Sequence, residues 1–281
     1  GGFCWGVERA IEIADEVANT AANRAKGTVR TFGPLVHNHE ALQGIEHKGV
    51  FSDMDVDTMG PDDFVVLRAH GIAPDVKKRI KESGARVYDG TCPDVGHIHA
   101  TVRREMILGK ANVVVVGDAG HAEVDGILGV AGEKGIAVGS PAECDKVAFP
   151  TDEPLCVVSQ STQEFENYEA IVNKLKERYP QVQGFNTICE ATTSRQADLK
   201  KLIAECDAIV VIGARHSANT CRLAQIAEEA GKDTYLIENE GELDLEKMRK
   251  YHKVGITAGA STPPAAMHRA AEILRPLQPA A

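Results

Sequence analysis

The stretch Gly90-Thr-Cys-Pro-Asp-Val95 gives the clearest indication of the fold, because Cys92 and Pro93 stand where an amphipathic helical pattern begins. Cys4 and Cys189 also stand directly before helical patterns, and the three cysteines are about one third of the 281-residue chain apart. Proline is favoured at the first position of a helix, and a thiolate is stabilised at a helix N-terminus. The spacing therefore predicts three repeated units, each with a cysteine at the same place.

The composition is typical of a globular protein, with 43% hydrophobic and 26% charged residues. Seven cysteines, an odd number, and no visible secretory segment argue against a disulfide framework and favour metal or catalytic roles for some thiols. A net charge of −10 without a basic stripe argues against nucleic acid as a partner. No apolar run approaches the roughly 18 residues of a membrane span, so we expect no membrane segment and a cytoplasmic location. The chain opens at Gly1 without Met, which is compatible with a first strand that precedes the given sequence.

Buried strands alternate with helical patterns along the whole chain. Continuous apolar runs bounded by turn residues, alternating with helices of period 3.6, are typical of parallel α/β sheets with both faces covered. The predicted strands are 29–32, 64–67, 111–116, 135–138, 155–158, 208–212, 234–237 and 254–257. The order of elements repeats, so we predict an α/β fold of three similar parallel-sheet units, 1–91, 92–188 and 189–281, around a pseudo-threefold axis.

Polar residues recur at matching places in the three units. After one buried strand of each unit come His37, His121 and Ser217, and at the end of the last strand come His70, Ser161 and Ser261. Open parallel sheets bind ligands at the carboxyl ends of their strands, where helix N-termini present free N–H groups. If the three carboxyl edges face one another, these six side chains and the three cysteines line one central cavity.

The three helix-start cysteines allow more than one chemistry. Three thiolates are too few for a closed structural zinc site unless a histidine completes it, but they suit an iron–sulfur cluster with one iron left open. Each thiol could also be a small buried hydrophobic group, which is the interpretation we adopt for the cysteines outside the pattern, Cys144, Cys156, Cys206 and Cys221.

Seven motifs together resemble one known family. They are Gly2-Phe-Cys4-Trp-Gly-Val-Glu-Arg-Ala, Val36-His37-Asn, Ala69-His70-Gly, Thr91-Cys92-Pro93, Gly120-His121-Ala-Glu123-Val, Ile188-Cys189-Glu-Ala-Thr-Thr-Ser-Arg-Gln and Ile256-Thr-Ala-Gly-Ala-Ser261. They closely resemble the 4-hydroxy-3-methylbut-2-enyl diphosphate reductase family, which performs the last step of the methylerythritol phosphate route to isoprenoids. The resemblance extends over nearly the whole chain.

The resemblance implies a fold, a cofactor and a reaction. The fold would be three-lobed, with an oxygen-sensitive [4Fe–4S] cluster at its centre, ligated by Cys4, Cys92 and Cys189. The reaction would be reductive dehydroxylation of the diphosphate to isopentenyl and dimethylallyl diphosphate, with one iron of the cluster open to substrate. The diphosphate would be held by six side chains: His37, His70, His121, Ser217, Asn219 and Ser261.

The resemblance also makes Glu123 the proton source, assisted by Ser161, where the family has threonine. No glycine fingerprint for a flavin or nicotinamide cofactor is visible, so we expect electrons from a reduced ferredoxin or flavodoxin. Departures from the family pattern at Asp118, Ala122, His216 and Ala218 leave open a paralogue with another substrate. A non-catalytic iron–sulfur or redox-sensing protein and a structural zinc protein are further alternatives, although neither needs Glu123, Ser161 and six anion-binding side chains.

Overall fold

The computed structural model describes residues 2–22, 27–36 and 38–277, and the chain divides into two compact units. The first unit contains the described residues of Gly1–Glu8, Val36–Gly44 and Glu190–Ala281. The second contains those of Arg9–Leu35 and Ile45–Cys189.

The second unit contains two four-stranded sheets. The strands of one are β1 (Thr28–Phe32), β2 (Val50–Asp53), β3 (Asp63–Leu67) and β4 (Arg86–Asp89). The strands of the other are β5 (Asn112–Val116), β6 (Gly135–Val138), β7 (Leu155–Ser159) and β8 (Val182–Phe185). Every pairing is parallel, and the strand orders β2-β1-β3-β4 and β6-β5-β7-β8 are equivalent.

The first unit contains one parallel sheet with the matching order. Its strands are β9 (Ala208–Ile212), β10 (Asp233–Ile237) and β11 (Val254–Ala258), and their order is β10-β9-β11. In all three sheets an inner strand is uniformly buried, and in β5 (Asn-Val-Val-Val-Val) and β9 (Ala-Ile-Val-Val-Ile) it consists mainly of β-branched residues. Such runs favour strands with both faces covered, which is how the helices bury them.

Ten α-helices connect the strands in the described parts of the chain. They are α1 (Trp5–Ala22), α2 (His39–Glu46), α3 (Pro74–Glu82), α4 (Pro93–Ile107), α5 (Ala122–Ala131), α6 (Phe165–Lys176), α7 (Glu190–Glu205), α8 (Ala218–Glu229), α9 (Leu245–Met248) and α10 (Pro264–Leu274). Their apolar stripes cover the sheets. In α1, for example, Ala10, Ala14 and Val17 are buried in the core around β1 and β3 at the spacing of one helix face.

The prediction of an α/β protein with three similar parallel sheets is confirmed. The boundaries 1–91, 92–188 and 189–281 stay a prediction, because the two compact units follow a different division of the chain. None of the helices in the described ranges is long and apolar enough to cross a membrane.

Candidate active site

In the second unit, two of the predicted ligand cysteines are held by equivalent backbone hydrogen bonds. The N–H of Cys92 donates to the carbonyl of Ala69 at 2.9 Å, and Ala69 lies two residues beyond the end of β3. The N–H of Cys189 donates to the carbonyl of Ser161 at 3.0 Å, and Ser161 lies two residues beyond the end of β7. Each cysteine is therefore placed at the carboxyl edge of its own sheet.

The first unit repeats this bond. The N–H of Cys4 donates to the carbonyl of Ala260 at 2.9 Å, two residues beyond the end of β11. Within its own unit, Cys4 therefore stands at the carboxyl edge of the sheet, as Cys92 and Cys189 do in the other unit. The sequence repeat of the three cysteines thus corresponds to a repeat of local structure.

The three thiols also share their position relative to a helix. Cys4, Cys92 and Cys189 each directly precede a helix. Cys92 is the N-cap residue of α4, and Pro93 is the first helical residue. All three are half-buried and none forms a disulfide. Because a helix N-terminus presents free N–H groups, each thiol lies where cysteine ligands of metal centres are commonly found.

This donor chemistry fits an iron–sulfur cluster, although the ligand set itself stays a prediction. Half-buried thiols at helix starts suit soft thiolate ligation. Within residues 2–22, 27–36 and 38–277, no group of three or more His, Cys, Asp or Glu side chains is arranged to hold a metal ion. The support for the set is therefore the equivalence of the three local settings.

Glu123 and Ser161 form a buried pair in the second unit. Glu123 lies in the first turn of α5 and is only 2% exposed. The N–H of Ser161 donates to one carboxylate oxygen at 2.6 Å, and its hydroxyl donates to the other at 2.8 Å. Burial raises the pKa of Glu123 to about 7, although the two bonds from Ser161 oppose the change. Near neutral pH, Glu123 is therefore a carboxyl group that can hold or release a proton.

His121 and His70 lie beside this pair in the same unit. The Nδ1 atom of His121 caps α5 by accepting the N–H of Glu123 at 3.2 Å, so the neutral ring carries its proton on Nε2. Burial lowers the pKa of His121, which favours that neutral form. The rings of His70 and His121 meet edge to face with centroids 5.5 Å apart. Two of the predicted anion-binding histidines are thus brought together with the predicted acid.

In the first unit, Ser217 and Asn219 lie at the start of α8, and both are buried. The N–H of Ser217 donates to the carbonyl three residues earlier, as the N–H of His121 does in the loop after β5. Asn219 is 3% exposed, and its Nδ2 group has no hydrogen-bond partner in the described parts of the chain. A buried donor without a partner is costly, so Asn219 is a natural donor to a ligand.

The predicted equivalence of His70, Ser161 and Ser261 is wrong by one residue. His70 and Ser261 are the third residues beyond β3 and β11, whereas Ser161 is the second residue beyond β7. Turns closed by 3.1 Å bonds from Gly71, Gln163 and Thr262 make Thr162 the structural counterpart of His70 and Ser261. At this position, the N–H and the hydroxyl group of Ser161 both donate to the carboxylate of Glu123.

One predicted residue, His37, lies outside the described residues. A residue that the sequence reasoning missed is Gln160, which is buried directly after β7. Its Oε1 atom accepts the N–H of Asp118 at 2.9 Å and so ties the loop after β5 to the loop after β7. A glutamine between a buried strand and two hydroxyl residues was the signal available in the sequence.

The buried acid, the histidines and the fold together indicate a class of enzyme. A buried carboxyl group with a pKa near 7 beside two histidines, at the carboxyl edge of a parallel sheet, is typical of the acid–base site of an α/β enzyme. The sequence profile described as LytB protein matches residues 1–275. The chain belongs to the LytB protein family, and the resemblance found in the sequence is confirmed.

Relatives in this family are named as one enzyme. The chain is 38% identical to the 4-hydroxy-3-methylbut-2-enyl diphosphate reductase of Opitutus terrae, with 93% of this chain and 92% of the relative covered. It is 37% identical to the enzyme of that name from Aquifex aeolicus, with 93% and 89% covered.

Two solved structures are similar over nearly the whole chain. The reductase of Plasmodium falciparum, titled E-1-hydroxy-2-methyl-but-2-enyl-4-diphosphate reductase, matches with a TM-score of 0.92 and 28% identity, covering 99% of this chain and 87% of that one. A structure titled (E)-4-hydroxy-3-methyl-but-2-enyl diphosphate reductase, the terminal enzyme of the non-mevalonate pathway, matches with a TM-score of 0.69 and 34% identity, covering 98% and 96%.

Proposed function

We propose that this chain reduces (E)-4-hydroxy-3-methylbut-2-enyl diphosphate to isopentenyl and dimethylallyl diphosphate. The observation that carries the proposal is the buried Glu123 carboxyl group, held by two donors of Ser161 beside His121. A neutral-pH acid next to donors for an anion is what protonation of a bound diphosphate substrate requires. Full-length similarity to enzymes named for this reaction supports the same choice.

We place a [4Fe–4S] cluster on Cys4, Cys92 and Cys189. The equivalent backbone bonds of the three cysteines support this ligand set. A cluster held by these cysteines would supply electrons one at a time and would act as a Lewis acid towards the substrate hydroxyl group.

The surroundings of His121 and Asn219 decide which of their nitrogen atoms can donate a hydrogen bond to the diphosphate. His121 donates from Nε2, because its Nδ1 accepts the N–H of Glu123. Asn219 donates from its buried Nδ2 group, which satisfies an otherwise unpaired donor. His37, His70, Ser217 and Ser261 complete the proposed set. Hydrogen bonds to a charged group contribute roughly 1.5–3 kcal/mol each, which offsets the repulsion from an acidic chain.

Glu123 supplies the proton that leaves with the hydroxyl group. Reduction consumes two electrons and two protons, breaks the carbon–oxygen bond and releases water. When Glu123 gives up a proton, the N–H and hydroxyl of Ser161 remain as donors to the two oxygens of the carboxylate. The second proton is added at either end of the allyl unit, which accounts for two products. A reduced ferredoxin or flavodoxin supplies the electrons.

The test is anaerobic turnover. The cluster is reconstituted, a strong one-electron reductant and the hydroxylated diphosphate are added, and products are identified by chromatography and mass. Formation of both isopentenyl and dimethylallyl diphosphate is the expected result. A protein with an intact cluster that forms neither product would contradict the proposal and favour the paralogue suggested by Ala122, His216 and Ala218.

A further inference from the structure

A cavity of about 720 Å³ lies in the second unit and is lined by residues of α3 and α4. Helix α3 contributes Lys77, Lys78 and Lys81, and α4 contributes Arg103. Cys92, the residue that begins α4, also lines this cavity. A predicted cluster ligand is therefore part of the wall of a cavity on the protein.

The cavity is basic although the chain is acidic. Five Lys and Arg residues line it against two carboxylates, whereas the whole chain has a net charge of −10. Asp89 offsets part of the positive charge, because its carboxylate accepts from Lys77 at 2.6 Å. The side chains of Lys81 and Arg103 are exposed and make no hydrogen bond or ion pair with any residue that the structure describes. Lys78 faces Glu82, and Arg9 donates only to backbone carbonyls, so the uncompensated charge comes from Arg9, Lys81 and Arg103, of which Lys81 and Arg103 are exposed.

The half-buried imidazole of His99 adds no charge to the wall at neutral pH. His99 lines the cavity on α4, and burial, followed by the neighbouring Arg103, lowers the pKa of its imidazole to about 4. The unpaired cations instead lie at exposed positions on two different helices. A broad positive face of this kind steers a macromolecule of opposite charge, whereas a small anion would need buried donors that converge on one point.

We propose that this basic cavity is the docking site of an acidic one-electron carrier protein. The inference rests on the proposed function, because it requires the metal centre to be at Cys92. A carrier seated over Lys81 and Arg103 passes one electron at a time towards the Cys92 sulfur and leaves oxidised, so two dockings serve one turnover. Because the chain as a whole is acidic, the same carrier is repelled from other orientations.

Binding of the carrier tests the site without relying on turnover. The probe is a purified acidic [2Fe–2S] ferredoxin, titrated by calorimetry into the reconstituted chain at low salt. The double variant Lys81→Glu/Arg103→Glu should raise the Kd at least about tenfold, since it reverses charges that steer association. Lys134→Glu/Lys176→Glu is the matched control, because both lysines are exposed in the same unit and neither lines the cavity. An unchanged Kd in the Lys81/Arg103 variant, or an equal rise in the control, would overturn the docking site.

Turnover separates this inference from the proposed function. The rate with reduced ferredoxin, divided by the rate with photoreduced deazaflavin, should fall about tenfold in the Lys81/Arg103 variant and stay constant in the control. Product formed with deazaflavin, together with an unchanged ratio, would refute the docking site and leave the reductase standing. Absence of product with either reductant would refute the reductase, while the calorimetric Kd still decides the docking site.

Discussion

Replacing Glu123 with Gln removes the ionisable group while keeping the shape of the side chain. The Gln oxygen accepts the N–H of Ser161, and the Ser161 hydroxyl turns to accept from the new amide, so both hydrogen bonds of the pair are kept. The change therefore isolates the charge and the proton of Glu123 from its packing.

The pKa of Glu123 fixes the size of the effect on stability. In the native chain the group ionises at about pH 7, whereas its ordinary pKa is 4.5. Between these values the unfolded chain releases a proton that the native chain retains, so the free energy of unfolding falls as the pH rises. At 1.36 kcal/mol for each pH unit, the loss is on the order of 3 kcal/mol and is complete above about pH 8. Glu123→Gln should lack this loss.

Urea unfolding of the metal-free chain, followed by circular dichroism, measures this difference. Wild type should lose about 3 kcal/mol more than Glu123→Gln between about pH 5 and pH 8. Glu133→Gln changes the same group at an exposed position and should behave as wild type. In the reconstituted enzyme, Glu123→Gln should lower kcat at least about 100-fold, the contribution of a general acid. Parallel pH dependence in wild type and variant, or near-wild-type kcat, would refute the assignment of Glu123.

Substitutions at Ser161, Asn219 and Gly259 test the surroundings of the site. Ser161→Ala removes the hydroxyl donor to Glu123 and should shift the alkaline limb of the pH–rate profile upward, whereas Ser161→Thr should restore it; identical profiles for all three would argue against the pair. Asn219→Asp should raise the KM for the diphosphate at least about tenfold, because it replaces a donor with a charge, and an unchanged KM would remove Asn219 from the binding set. Gly259→Ala should cost about 1–3 kcal/mol in urea unfolding, because a Cβ there would overlap Oγ1 of buried Thr220. Gly44→Ala, with nothing within 4 Å, should cost nothing, and equal effects of the two would contradict the packing argument.

The buried inner strands were predictable from the sequence because their patterns are continuous. Strands such as β7 and β9 are uniformly buried, and runs of Val and Ile mark them. Three strands were missed: β2, β4 and β8. They have four residues each and are partly exposed, so neither a continuous apolar run nor a clear alternation marks them. These segments become strands because each pairs in parallel with the inner strand beside it.

The cysteine positions were predictable, but the details around Glu123 were not. A cysteine before each helical pattern is visible in the sequence, and the structure places all three directly before helices. The sequence repeat also suggested that Ser161 matches His70 and Ser261. Strand ends decide that alignment, and the end of β7 at Ser159 moves Ser161 one residue out of register and towards Glu123. A one-residue shift of this kind depends on backbone hydrogen bonds that composition and spacing do not reveal.

The central claim is that three equivalent cysteines hold one cluster, and iron and sulfide content tests it most directly. Wild type, reconstituted without oxygen, should contain about four irons and four sulfides per chain. Cys4→Ala, Cys92→Ala and Cys189→Ala should each lose most of both while keeping the wild-type circular dichroism spectrum. Cys221→Ala, which removes a half-buried thiol that donates to the carbonyl of Arg215 at 2.9 Å, should keep them. Full iron and sulfide in any of the first three variants, or their loss in the Cys221 variant, would contradict the ligand set.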